Sequence, residues 1–152
     1  MRWLPWARAG HSRLDTRRYL RGARLGWARR SALEFIVSGL ESERLLGVTS
    51  LHRIDWVRRC AGLGYWIRSA YQRRGFALEA ARATALYAFE RLGLHRLELH
   101  IALANAASHG VAQGLGARRE GIARDAELVD GRYLDHVQYA LLSTDPEPGD
   151  WR

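Results

Sequence analysis

Gly62-Leu63-Gly64-Tyr65-Trp66-Ile67-Arg68-Ser69-Ala70-Tyr71-Gln72-Arg73-Arg74-Gly75-Phe76-Ala77-Leu78-Glu79-Ala80-Ala81 is the stretch on which the fold turns. Its period changes midway. Leu63, Tyr65, Trp66 and Ile67 form a short apolar and aromatic run suited to a strand, and the Ala-rich run from Gly75, carrying Glu and Arg, suits a helix. A strand therefore feeds a helix through the tight loop Gln72-Arg73-Arg74-Gly75-Phe76-Ala77. Small residues at Gly75 and Ala77 let the backbone approach a ligand, and the N–H groups of a first helical turn have no partner within the helix. An anion belongs at such a terminus, because the amide donors and the helix dipole favour negative charge at the same place. The loop is neither a Walker loop, since Gly-Lys-Ser/Thr is absent, nor a dinucleotide fingerprint.

Downstream, the spacing predicts one helix from Gly75 to Leu92. Phe76, Ala80, Thr84 and Tyr87 lie on one row, Ala77, Ala81, Ala88 and Leu92 beside it, and Gly93 holds the stop position. This stripe reads as core packing. Arg96 to Ala102 alternates Leu97, Leu99 and Ile101 against Arg96, Glu98 and His100, a half-buried strand. Asn105 opens a short helix to Leu115, weakened by Gly110 and Gly114. Gly121 to Val129 and Tyr133 to Leu142 flank Asp130-Gly131, a strong hairpin signal, and the Pro-, Asp- and Glu-rich tail after Ser143 is expected to fray.

Upstream, Ser12 with Asp15 three residues on marks a helix start, and Leu14, Leu25 and Trp27 give one modest apolar face up to about Arg30. Leu33 to Val37 and Leu45 to Leu51 read as an antiparallel hairpin around a turn at Ser38 to Glu43. A second turn near Arg53 to Arg59 returns the chain to the Leu63 strand. No internal repeat or linker interrupts the 152 residues, and a chain of this length with 47% apolar residues is expected to form one domain over 1–152.

The net charge of +8 comes from arginine alone, for the sequence holds no lysine, which points to compositional bias more than to a built basic patch. Such a field attracts polyanions, coenzyme phosphates and RNA alike. No recognition motif accompanies it, so no specific nucleic-acid partner is expected. One cysteine, Cys60, excludes an internal disulfide and reads as a small buried apolar residue; a cytosolic location is the default. No apolar run reaches the roughly 18 residues that span a bilayer, so no membrane is expected. The six histidines show no metal spacing, and no metal is expected.

The pattern Gln72-x-x-Gly75-x-Ala77 after a strand resembles the pyrophosphate loop of the GNAT superfamily of acetyl-coenzyme A dependent N-acetyltransferases. Together with Gly64 to Ile67, Leu94 to Leu99, Asn105 to Ser108 and Asp130 to Leu142, the chain looks like the RimJ/RimL branch, which acetylates N-terminal amines of ribosomal proteins. The resemblance implies a mixed α/β fold with a mostly antiparallel sheet splayed at the strand holding Trp66. It further implies that Trp66, Ile67 and Arg68 pair with the pantetheine arm by backbone, that the pyrophosphate sits on the amides of Arg73, Arg74, Gly75, Phe76 and Ala77 after Gln72, and that Asn105 bonds the pantetheine. Without the family, Arg73 and Arg74 read as solvated surface and Asn105 as a helix cap.

For the reaction, the resemblance nominates Glu127 as base, Ser108 as proton relay to the departing thiolate, and a backbone N–H near Ile67 for the oxyanion. The tyrosine that many relatives carry on the helix after the asparagine is replaced by Ala112. Tyr139 is a further donor if the last strand turns it inward, and Glu34 is a second-choice base. The plain readings are a solvated Glu127 and a Ser108 bonded to backbone.

The match begins at about Trp3-Leu4-Pro5-Trp6, where family members already have a strand and helix behind them. The amino-terminal part is therefore expected to be truncated, with an open sheet edge beside Leu33 to Val37 that invites homodimerisation and an incomplete acceptor pocket. The expected function is acetyl transfer from acetyl-CoA to a primary amine, most simply a protein N-terminus. Acetylation of an antibiotic or polyamine, a catalytically impaired coenzyme-binding module, and an RNA-binding protein are the alternatives.

Overall fold

The computed structural model describes residues 12–39 and 44–146. Helix α1 (Arg13–Arg29) begins at a capping box in which the Ser12 hydroxyl accepts from the Asp15 N–H and the Asp15 carboxylate accepts from the Ser12 N–H. Strands β1 (Leu33–Ser38), β2 (Leu45–Asp55) and β3 (Cys60–Ile67) follow as an antiparallel meander. A 3-10 turn (Ser69–Tyr71) leads to α2 (Phe76–Leu86), then come β4 (Arg96–Ala102), α3 (Ala106–Gly114), β5 (Arg118–Val129) and β6 (Arg132–Leu142). The sheet order is β1-β2-β3-β4-β6-β5. Among the described residues only β3 and β4 run parallel, since α2 carries the chain across between them.

That parallel pair is short: Cys60 to Gly62 meet Arg96 to Glu98, and beyond them the two strands diverge. The sheet is thus splayed at the strand holding Trp66, as expected. One face of the sheet packs under the helices, with Leu51, Leu63, Leu97, Leu99 and Ile101 against Ala81, Ala85, Ala88, Ala112 and Leu115. Fully buried leucines such as Leu97 and Leu99 contribute about 1.5 to 3 kcal/mol each. Alanines on α2 let the helix lie close to the strands. Thr84 fixes its height: its hydroxyl lies 3.1 Å from that of Thr49, which in turn donates to the Gly64 carbonyl. Gly114, a weak helix residue, stands where α3 crosses α2, and a Cβ there would lie 2.8 Å from the Leu78 side chain.

Several boundaries differ from the sequence reading. The helix expected to run from Gly75 to Leu92 ends as an α-helix at Leu86 and widens into a π-helical segment (Tyr87–Arg91), closed by Gly93 at φ 65°. β2 extends to Asp55, which leaves residues 56–59 for the turn, held by the Asp55 carboxylate on the Val57 and Arg58 amides. At the start of the tail Ser143 bonds to His95, and Asp145 accepts from the Leu142 N–H and pairs with Arg118, while most of the stretch expected to fray lies outside the described residues. Cys60 is half-buried at the start of β3. β1 is an edge of the sheet among the described residues, and α1 partly closes it, the Trp27 indole donating to the Glu34 carbonyl. Trp3 to Trp6, the centre of the first turn and the chain from residue 147 lie outside the described residues.

Candidate active site

The direction of one backbone bond organises the site. Arg68 N–H donates to the Leu46 carbonyl at 2.8 Å. Residues of an antiparallel strand alternate in the side to which they hydrogen-bond, so Trp66 and Gly64 also face β2, and Ile67 and Tyr65 turn their backbone groups the other way. On that other side β4 has already departed. The unpaired edge therefore belongs to Tyr65 and Ile67, and Gln72 takes one of its groups, donating from Nε2 to the Ile67 carbonyl at 2.9 Å. The same bond ties the loop to the end of β3.

A cleft of about 500 Å³ follows this edge, lined by Tyr65, Trp66, Ile67, Gln72, Arg73, Gly75, Phe76, Ala77, Asn105 and Ser108 among others. At one end stands the start of α2. Ser12 and Asn105 cap α1 and α3 with their side chains, whereas among the described residues no side chain caps α2. Gly75 takes φ 84°, which an L side chain resists, and open space lies where its Cβ would be. Gly75, Phe76 and Ala77 of this terminus line the cleft, and the first-turn amides of a helix have no partner within it. These residues fit a diphosphate at the helix terminus continued by an extended, hydrogen-bonding arm along the strand.

At the other end, the Asn105 side chain accepts from the Ser108 N–H at 3.3 Å, so as a residue it is the cap of α3. The Tyr65 hydroxyl reaches across from β3 to the Ser108 carbonyl at 3.3 Å. Burial pushes the Tyr65 phenol up to about 12, which keeps it protonated at neutral pH. Tyr65 carried no role in the sequence reading; strand alternation, which turns it to the helix side with Leu63 and Ile67, is the signal that points to it.

Two of the arginines leave this cleft. Arg68 commits its N–H to Leu46 and its guanidinium to the Leu45 carbonyl at 3.3 Å, so it offers nothing to the β3 edge. Arg74 lies 6.0 Å from the Tyr71 ring and lines a second cleft, of about 900 Å³, between β1 and α2. Arg73 lines the first cleft and is itself held at φ 61°. Tyr139 is buried on the helix side with its hydroxyl 3.1 Å from His109 Nδ1. Glu34 accepts from the Tyr19 hydroxyl at 2.8 Å on the sheet's outer strand.

Glu127 is not solvated alone. A bulge in β5 separates Ala123, opposite His136, from Glu127, opposite Leu134. Without it Asp125 would face Leu134; the two extra residues draw Glu127 about 7 Å nearer to His136. Its carboxylate lies 3.2 Å from His136 Nε2. Both project from the sheet face opposite the helices, where His52 and His100 also stand. Burial first, then the neighbouring Arg53, holds both of those imidazoles below their usual value. Among the described residues no group of His, Cys, Asp and Glu could hold a metal ion, and no helix is long and apolar enough to cross a membrane.

With this geometry stand the likenesses to known proteins. A family model for the acetyltransferase (GNAT) domain matches residues 1–118. The chain is 39% identical to protein YdaF of Bacillus subtilis (strain 168) over 80% of its own length and 67% of that protein's. It is 28% identical to the ribosomal-protein-serine acetyltransferase of Escherichia coli (strain K12), over 91% of this chain and 76% of that one. To the ribosomal protein uS5-alanine N-acetyltransferase of the same strain it is 31% identical, and spans 62% of its length. Among solved structures, RimL, a ribosomal L7/L12 alpha-N-protein acetyltransferase in complex with coenzyme A, superposes with a TM-score of 0.87 at 26% identity, covering 93% of this chain and 78% of that one.

Proposed function

The chain belongs to the GNAT acetyltransferase family, and from that premise we propose that it transfers acetyl from acetyl-coenzyme A to the α-amine of a protein N-terminus. One observation carries the reading: the splay between β3 and β4 opens a strand edge that runs straight to an uncapped helix terminus.

In this proposal the amides of Gly75, Phe76 and Ala77 bind the diphosphate, and Arg73 adds charge. Tyr65 and Ile67 hold the pantetheine by backbone, in place of the Trp66 to Arg68 segment expected from sequence. The thioester supplies an activated acyl carbon and a sulfur leaving group. A backbone N–H of this edge near Ile67, one not already used by the arm, would donate to the acyl oxygen as it gains charge, a kind of donor worth about 2.7 to 4 kcal/mol. Glu127 takes the ammonium proton and Ser108 passes one to the leaving sulfur. Each turnover joins nitrogen to the acyl carbon, breaks the carbon–sulfur bond and releases one net proton: ammonium plus thioester gives amide, thiol and a proton.

A protein N-terminus is favoured because the two Escherichia coli relatives are named for ribosomal proteins. The acceptor would enter from the sheet face opposite the helices, where the Glu127 carboxylate brings negative charge toward a cationic tip, Glu98 on that face being paired with Arg96 at 2.9 Å. The test is an acceptor panel with acetyl-CoA: peptides with free N-termini, the same peptides blocked, and spermidine. Mass spectrometry is expected to find acetyl on the free N-termini alone. Preferred acetylation of spermidine would replace the acceptor, and coenzyme binding without any product would leave a binding module.

A further inference from the structure

We propose that His136 receives from Glu127 the proton given up by the acceptor ammonium. The inference rests on the reading of Glu127 as base and adds the proton's next holder. His136 is 8% exposed, and its Nε2 is buried without a hydrogen-bond partner among the described residues. A polar atom left so in a native fold asks for a reason, and a working proton site is one. The neighbouring Glu127 oxygen, at 3.2 Å, lies off the in-plane axis of Nε2, so the two atoms are close without a resting hydrogen bond and a small turn of either side chain lets a proton pass.

The fold assembles this pair on purpose. His136 sits on β6 between Ala102 of β4 and Ala123 of β5, one strand from the splay. The β5 bulge then brings Glu127 up beside it, and the bulge is locked by the Asp125 N–H donating to the Asp135 carboxylate at 2.9 Å. Beyond His136 the same sheet face carries His100, opposite Gln138 and 3.8 Å from Glu98, and then His52, whose ring lies over Gly62 because that residue has no side chain. Arg53 of β2 and Arg96 of β4, which pairs with Glu98 at 2.9 Å and with Glu120 of β5, are the further charged groups facing the cluster. Burial keeps His52 and His100 uncharged more readily than free imidazoles, so a proton that reaches either is not held there but passes on toward solvent.

The step balances. The Glu127 carboxylate takes a proton from the ammonium; the proton moves to the Nε2 lone pair of His136 in the tautomer that carries its own proton on Nδ1; the carboxylate is restored and the freed amine lone pair forms the new bond. His136 then returns to neutral by losing that proton toward His100 and solvent.

The test compares Glu127→Gln, His136→Gln and the double variant in kcat and in the pH profile of kcat/KM, with acetyl-CoA affinity as the measure of an intact fold. Glu127→Gln is expected to lower kcat by about 10² to 10⁴. His136→Gln should lower it by about tenfold or more, keep the acetyl-CoA affinity, and remove one ionisation from the acid limb. The double variant should be no slower than Glu127→Gln, as for groups acting as a unit. A normal kcat with an intact acid limb in His136→Gln, or losses that multiply in the double variant, overturns the inference. If Glu127→Gln itself is fully active, the base reading fails and takes the inference with it. Should His136→Gln lose acetyl-CoA binding, Glu127→Asp serves instead: it draws the carboxylate away from Nε2 at a half-exposed site, and retention of the full acid limb there is equally adverse.

Discussion

Arg68 donates its backbone N–H to the Leu46 carbonyl, and that bond fixes which edge of β3 is open to a ligand. Gly47, the next residue on β2, makes the arrangement possible, since a Cβ there would collide with the Trp66 carbonyl oxygen. Gly47→Ala is therefore expected to force the two strands apart. Denaturant unfolding should show a loss of about 1 to 3 kcal/mol, and calorimetry a weaker acetyl-CoA affinity, because the Tyr65 and Ile67 edge moves with Trp66. An affinity equal to that of the native chain would mean that the edge does not hold the ligand.

Gly75 is needed for its backbone angle rather than for space. Gly75→Ala places a side chain at φ 84° at a strain of about 1 to 2 kcal/mol, with no clash to relieve. The strain is most simply released by unwinding the first turn of α2, so acetyl-CoA affinity should fall more than about tenfold while the melting temperature drops by a few degrees. Gly75→Asn, which tolerates the left-handed region, should lose less of both.

The Tyr65 phenol, raised by burial from 10.0 to about 12, gives the fold an alkaline limit. Its folded value lies above its unfolded one, so its contribution is complete below pH 10 and is lost as pH rises toward 12. Chemical denaturation across that window should show stability falling by something on the order of 1 to 2 kcal/mol more in the native chain than in Tyr65→Phe. Equal slopes would mean that the hydroxyl is hydrated.

The opposite limit comes from His52 and His100, both lowered from 6.5 chiefly by burial. A depressed imidazole favours the folded state above its unfolded value, and that advantage disappears as pH falls below 6.5. Melting temperatures should decline on acidification from pH 6.5, and less steeply in His52→Gln, whose side chain carries no titrating group. A variant as acid-sensitive as the native chain would remove His52 from the cause.

The parts of this fold that are local in sequence could be read from it. The change of period around Gly75, the Ser12 and Asp15 capping box and the Asp130-Gly131 hairpin each depend on neighbours a few residues away, and each stands where the pattern put it. What could not be read depends on distant pairing. The side of β3 that faces the cleft is set by its register with β2, so Arg68, adjacent in sequence to Ile67, turns away from it. His136 gave no signal because its burial comes from β6 lying between β4 and β5, an order that skips in sequence. The β5 bulge that brings Glu127 to it is held by Asp125 and Asp135, ten residues apart across two strands.

The central claim is that the amides at the start of α2 grip a diphosphate while the edge of Tyr65 and Ile67 takes the arm behind it. A crystal structure of the chain grown with coenzyme A tests it most directly. The account predicts diphosphate oxygens within hydrogen-bonding distance of the Gly75, Phe76 and Ala77 amides, with the arm paired to β3 between the splayed strands. Coenzyme bound elsewhere, for instance in the second cleft between β1 and α2, or a pantetheine arm that leaves the Tyr65 and Ile67 backbone untouched, would contradict it.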